Sequence, residues 1–68
     1  MDKTYYIAEI MRGRRRRVFL FEIDKDDTLE SIVHRAFGNE TAIVKYRFPT
    51  LEERILMGRS MVSSNDYK

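Results

Sequence analysis

Two runs of alternating residues flank a single glycine, and no other feature constrains the fold of this chain so tightly. From Thr4 to Met11, Tyr6, Ala8 and Ile10 fall on one side, with Tyr5, Ile7, Glu9 and Met11 on the other. From Arg17 to Ile23, Phe19, Phe21 and Ile23 alternate with Val18, Leu20 and Glu22. A period of two in β-branched and aromatic residues predicts strands with one face turned to a core. The connection holds Gly13, and glycine supplies the positive φ that tight hairpin turns need. A two-residue Gly13-Arg14 turn and a four-residue Gly13 to Arg16 loop both keep the larger aromatics together, so the register stays open.

The pattern then changes period. Leu29, Ile32, Val33, Ala36 and Phe37 mark one stripe of a helix. Asp27 with Glu30 three residues on is expected to cap its start, where the helix dipole favours acid. Gly38 and Asn39 are expected to end it. Ala42 to Phe48 alternates again, with Val44, Tyr46 and Phe48 on one side and Ile43, Lys45 and Arg47 on the other. Pro49 ends this third strand. Thr50 with Glu53 forms a second capping pair, and Leu51 to about Val62 reads as a helix weakened by Gly58. Residues 63–68 are expected to be a flexible tail.

The expected fold class is therefore α+β. A three-stranded sheet in ββαβ order carries one helix across it, with a short C-terminal helix or strand to follow. A right-handed crossover would place the third strand beside the first and parallel to the second. The first helix would cover Tyr6, Ile10, Phe19 and Phe21. The other face would carry Ile7, Met11, Val18, Leu20 and Ile43 beside Glu9, Glu22, Lys45 and Arg47. That face is too apolar to stand wholly in water. Either the C-terminal helix folds over it or a second chain does, a homodimer included.

Length limits what such a fold can do. A chain of 68 residues forms one domain that buries only about 60% of its unfolded surface, so a deep cleft would remove core it cannot spare. Net charge is only +2, and any basic action must come from local clustering. The absence of cysteine excludes a disulfide staple and a thiolate metal site and suits a reducing cytoplasm. No apolar run approaches the ~20 residues of a membrane span, and the acidic, polar N-terminus is unlike a signal peptide.

Asp27-Thr28-Leu29-Glu30-Ser31-Ile32 after a strand resembles the hairpin-to-helix passage of ubiquitin-like β-grasp proteins. Arg54-Ile55-Leu56-Met57-Gly58-Arg59 is similar to their later strand and turn. That resemblance implies a strand at Arg54 to Met57, and without a C-terminal Gly-Gly it implies no conjugation. Tyr5 through Pro49 also resembles small ββαβ proteins made by bacteriophages. The shared features are the alternating hairpin, the Thr-Leu-acid helix start and a basic third strand ending in proline. One such group binds and inhibits host RNA polymerase through a basic face.

The densest chemistry lies at the turn. Arg12, Arg14, Arg15, Arg16 and Arg17 bring five always-charged forks together with no interleaved acid. Guanidinium groups bind phosphate and carboxylate in bidentate geometry. Lys3, Lys45 and Arg47 would extend the patch across the sheet. The plain alternative is a solvated loop that aids solubility.

Two kinds of partner suit the cluster. One is a larger protein with an acidic surface, met by the arginines beside an apolar patch of Ile7, Met11, Val18 and Leu20. The other is nucleic acid, bound without sequence preference through phosphates. Tyr5, Tyr46 and Phe48 would offer stacking faces, although aromatics of this kind are more often core.

Enzymatic chemistry and cofactors are not expected. His34, the only histidine, sits off the apolar stripe. Asp24, Asp26 and Asp27 lack the spacing of a calcium loop. Ser60, Ser63 and Ser64 have no base near them in sequence, and the three glycines form no phosphate loop.

Overall fold

A computed structural model describes residues Lys3–Tyr67. The two alternating runs form strands β1 (Lys3–Arg12) and β2 (Arg15–Asp24). They pair antiparallel residue for residue, from Lys3 opposite Asp24 to Arg12 opposite Arg15. The turn is therefore the two-residue one. Gly13 takes φ +62° while Arg14 stays at negative φ, a type II′ pattern whose twist matches that of the strands.

Helix α1 (Leu29–Phe37) crosses one face of this ladder. Its Ile32 and Val33 are buried against Ala8, Ile10, Phe21 and Ile23. The expected cap is corrected by one residue. Thr28 is the N-cap, and its hydroxyl accepts from the Ser31 amide at 3.1 Å. Asp27 instead accepts from the Thr28 amide at 2.8 Å and forms an ion pair with Arg35, in the last turn of the helix. That pairing holds the Asp27 carboxyl down to about 2. Gly38, at φ +101°, ends the helix with its amide on the His34 carbonyl at 2.9 Å.

Strand β3 (Ala42–Arg47) runs along the free side of β1, antiparallel to it. A bulge interrupts the pairing. Glu9 lies opposite Lys45, yet Ile10 lies opposite Ile43, so Val44 is the extra residue. Simple alternation puts Ile43 with Lys45 and Arg47. The bulge corrects that and turns Ile43 back toward α1, where it packs on the core.

The C-terminal quarter departs most from expectation. Helix α2 (Leu51–Met57) has the full capping box. The Glu53 amide donates to the Thr50 hydroxyl at 3.1 Å, and the Thr50 amide donates to Glu53 at 2.9 Å. The helix stops at Met57 rather than near Val62, and Gly58–Ser60 form a 3₁₀ turn. Arg54 to Met57, where the ubiquitin-like resemblance implies a strand, is helical.

The sheet has four strands, in the order β3-β1-β2-β4, rather than three. Strand β4 (Val62–Ser63) lies parallel to β2, with Val62 beside Phe21. Residues Ser63 to Tyr67 are thus not a free tail. Lys68 lies outside the described residues.

Hydrogen bonds explain why this end folds back. The fully buried Ser64 hydroxyl accepts from the Asp24 amide at 3.0 Å and donates to the Glu22 carbonyl at 3.2 Å. Ser63 donates to the Glu22 carboxylate at 2.8 Å, joined by Tyr5 at 2.9 Å and Lys3 at 3.2 Å. Burial alone would raise the Glu22 carboxyl. The hydrogen bonds from Ser63, Tyr5 and Lys3 outweigh it and hold the group below the usual glutamate range.

This chain's own C-terminal segment lies over part of the second sheet face. Leu20 and Ile7 are buried there. Leu51, Ile55 and Met61 line a groove together with Leu20 and Tyr5, and Arg54 stacks on the Tyr5 ring at 4.0 Å.

Two outcomes follow for stability. Val62→Ala removes two buried methyl groups from beside Phe21, and urea denaturation is expected to show a loss of about 2 kcal/mol; a change near zero would mean that β4 does not close the core. Asp27 carries its charge well below the ordinary carboxylate value of about 3.9. A depressed folded value contributes stability that is present above the unfolded one and is lost as pH falls through the folded one. The urea midpoint of Asp27→Asn should therefore fall less than that of the parent chain between about pH 4 and pH 2, and identical acid profiles would refute the pairing.

Candidate functional site

Pairing in register decides where each arginine points, because successive strand residues face opposite ways. Arg12, Arg15 and Arg17 share the α1 side with Ile10 and Phe19, while Arg16 points to the other side with Glu9 and Met11. Arg14 occupies the turn itself. The expected single patch is therefore corrected to two unequal halves.

On the second face the charges are answered internally. Glu9 takes Arg16 at 3.3 Å and Lys45 at 3.7 Å. Arg47 holds Glu53 through two bonds of 2.7 and 2.6 Å. That fork, with the Thr50 amide behind it, holds the Glu53 carboxyl down to about 2. It also fastens α2 to the edge strand. Lys3 cannot extend the patch, since it stands at the far end of the hairpin on Glu22 and Asp24, each at 3.2 Å. A shallow hollow of about 330 Å³ remains here, lined by Ile7, Glu9, Val18, Lys45, Tyr46 and Arg47.

The α1 side differs in kind. Among the described residues, Arg12, Arg14, Arg15 and Arg17 make no ion pair. A hollow of about 230 Å³ opens between them and the end of α1, lined by Ile10, Arg12, Arg15, Arg17, Phe19, Phe37 and Thr41. No carboxylate lines it. Phe19 and Phe37 pack ring on ring at 5.0 Å in its floor. Thr41 is buried, and its hydroxyl is spent on the Phe37 carbonyl at 3.0 Å. The Arg12 guanidinium carbon comes to 4.0 Å from where a Cβ on Gly38 would stand. It thus sits by the C-terminus of α1, whose partial negative charge favours a cation. Sequence reading passes over Phe37 and Thr41 as site residues. The signal available is the Gly38 stop, which delivers the helix end to the hairpin tip.

The expected apolar patch breaks up. Ile7 and Leu20 are buried, Met11 is half-buried and only Val18 stands out, at 54% exposure. The reading of Tyr46 and Phe48 as core is also corrected. They are 60% and 69% exposed, because α1 lies over β1 and β2 and leaves the β3 flank open. Both rest on the half-buried Tyr6, Phe48 stacked at 5.3 Å and Tyr46 edge-on at 5.5 Å. Tyr5 is half-buried beneath Arg54.

The chain matches no family model, no curated protein and no solved structure. Among the described residues, no helix is long and apolar enough to cross a membrane.

The unpaired arginines load the fold. Arg12 and Arg15 are direct cross-strand partners, and like charges so placed repel by roughly 0.2–1 kcal/mol. Arg15→Gln is therefore expected to raise the urea midpoint in low salt, with the gain fading in about 1 M salt, where screening acts over roughly 3 Å. A variant no more stable than the parent in low salt would show that the tip carries no repulsion.

Proposed function

We propose that this chain is a non-enzymatic binding protein that docks the arginine end of its hairpin onto an acidic surface of a larger protein in the cytoplasm. The observation that carries the reading is a contrast in pairing. Lys3, Arg35, Lys45 and Arg47 each reach a carboxylate of the same chain. Among the described residues, Arg12, Arg14, Arg15 and Arg17 do not; outside the tip Arg54, which stacks on Tyr5, and Arg59 likewise form no ion pair, so what sets the tip apart is four such groups in one place. Unmatched guanidinium groups on a two-stranded tip are open to the carboxylates of another molecule. The resemblance to phage ββαβ proteins makes a bacterial host enzyme, RNA polymerase included, the first partner to try.

Nucleic acid is the second reading, favoured by the exposed rings of Tyr46 and Phe48. Geometry ranks it lower. Tyr46 lies beside Ala8, four residues along β1 from Arg12, and Phe48 packs on Tyr6, further still. At about 3.3 Å per residue, the stacking surface stands roughly 13–20 Å along the strand from Arg12 and Arg15 and roughly 7–13 Å from Arg17, which lies opposite Ile10.

A tagged pulldown from nuclease-treated bacterial lysate, repeated with the retained protein after purification, tests the first reading. One dominant partner should be kept by the parent chain and lost when Arg12, Arg14, Arg15 and Arg17 are all replaced by alanine. Labelled duplex and single strands give the opposing arm. Micromolar binding at about 50 mM salt that falls by orders of magnitude at about 200 mM, with no protein retained, would replace the first reading by the second.

A further inference from the structure

We infer that the hollow on the α1 side is a side-chain subsite, which takes one bulky apolar residue of an extended acidic segment while Arg12, Arg15 and Arg17 hold carboxylates on either side of it. The inference rests on the docking reading and adds to it which kind of segment the tip selects.

Three observations point to such an occupant. The first is the floor. Ile10, Phe19 and Phe37 are apolar, and the one polar side chain among them, Thr41, already spends its hydroxyl on the Phe37 carbonyl. A polar group resting on that floor would meet apolar carbon and find partners only at the arginine rim, so the base of the hollow favours an apolar occupant. The second is size. At about 230 Å³ the hollow falls short of the roughly 300–1,000 Å³ of a small-molecule pocket, and one side chain suits it better than a cofactor. The third is the rim, where three cations stand with no acid among them.

Strand geometry then sets the spacing. Arg15 and Arg17 are two residues apart on one face of β2, roughly 6.6 Å along the strand. In an extended segment the residues that share a side with position i are i−2 and i+2, roughly 13 Å from each other, so the long arginine side chains splay outward by about 3 Å at either end to meet both. The favoured sequence is therefore acid–x–apolar–x–acid. Carboxylates at i−1 and i+1 would point away from the rim.

Fluorescence polarisation with labelled peptides and the full chain tests this. Glu-Ser-Leu-Ser-Glu should bind roughly tenfold more tightly than Glu-Ser-Ser-Ser-Glu, the order of discrimination a modest apolar pocket provides. It should also outdo Ser-Glu-Leu-Glu-Ser, which has the same composition in the wrong register. In NMR titrations the Phe19 and Phe37 ring signals and the Ile10 methyl signals should move with the leucine peptide and stay still with the serine peptide. Arg15→Gln and Arg17→Gln should each weaken the leucine peptide a few-fold.

Equal affinity for the leucine and serine peptides, with the ring signals unmoved, would overturn the subsite and leave arginine docking in place. Failure of every acidic peptide alongside binding of oligothymidylate would overturn both.

Discussion

Everything in this molecule is referred to one ladder, the ten-residue pairing of β1 with β2. Strand residues alternate between faces, so a slip of one position would exchange every inward side chain for an outward one. Were β2 to slip, Phe21 and Ile23 would leave the core, and Arg15 and Arg17 would exchange faces with Arg16. The Gly13-Arg14 turn prevents this. A left-handed φ at its first position and an ordinary one at its second suit a two-residue loop, and such a loop admits one register. The same turn that keeps Phe21 buried thus also sorts the arginines.

That sorting creates an imbalance the chain does not correct. Arg16 points to the face where Glu9 is available to it and to Lys45. Arg12, Arg15 and Arg17 point to the other face and, among the described residues, pair with no acid there, while Arg12 lies by the negative end of a short helix. Exposed ion pairs add little to stability, typically under about 1 kcal/mol. Fold stability therefore does not require the second face to be neutralised or the first to be left bare. What the asymmetry changes is the field at the hairpin tip, which is attractive to anions on the α1 side and nearly balanced on the other.

Much of this was legible in the residues, and what was not has physical causes. The hairpin, the stripe of α1 and the Thr50–Glu53 box depend on local spacing, and local spacing can be read along a chain. The turn length could not be, because both candidate loops bury the same aromatics. The bulge at Val44 was hidden for a related reason. It restores Ile43 to the core by a mismatch between two strands, and neither strand shows it alone. Strand β4 is only two residues long, too short to show a period. Its place depends on Ser63 and Ser64 meeting Glu22 and Asp24 from about forty positions away. The exposure of Tyr46 and Phe48 escaped notice because composition places aromatics inside, whereas a nine-residue helix cannot span a four-stranded sheet.

The shortage of covering structure bears on function as well. Helix α2 buries none of its residues and leaves Leu51, Ile55 and Leu56 each more than 70% exposed. It is held by Arg47 on Glu53 and Arg54 on Tyr5 rather than by a core of its own. A chain of this length has enough apolar material to close one core, around Phe21, and not a second. Recognition on such a scaffold has to use shallow features in which charge does part of the work that depth does in a larger protein. The two hollows beside the hairpin illustrate this. The larger is nearly neutralised by its own Glu9, while the smaller has three free guanidinium groups around an aromatic floor. Volume would choose the first, but the energetics of meeting an acidic partner favour the second, because only there does a carboxylate gain a cation without displacing one from its existing pair.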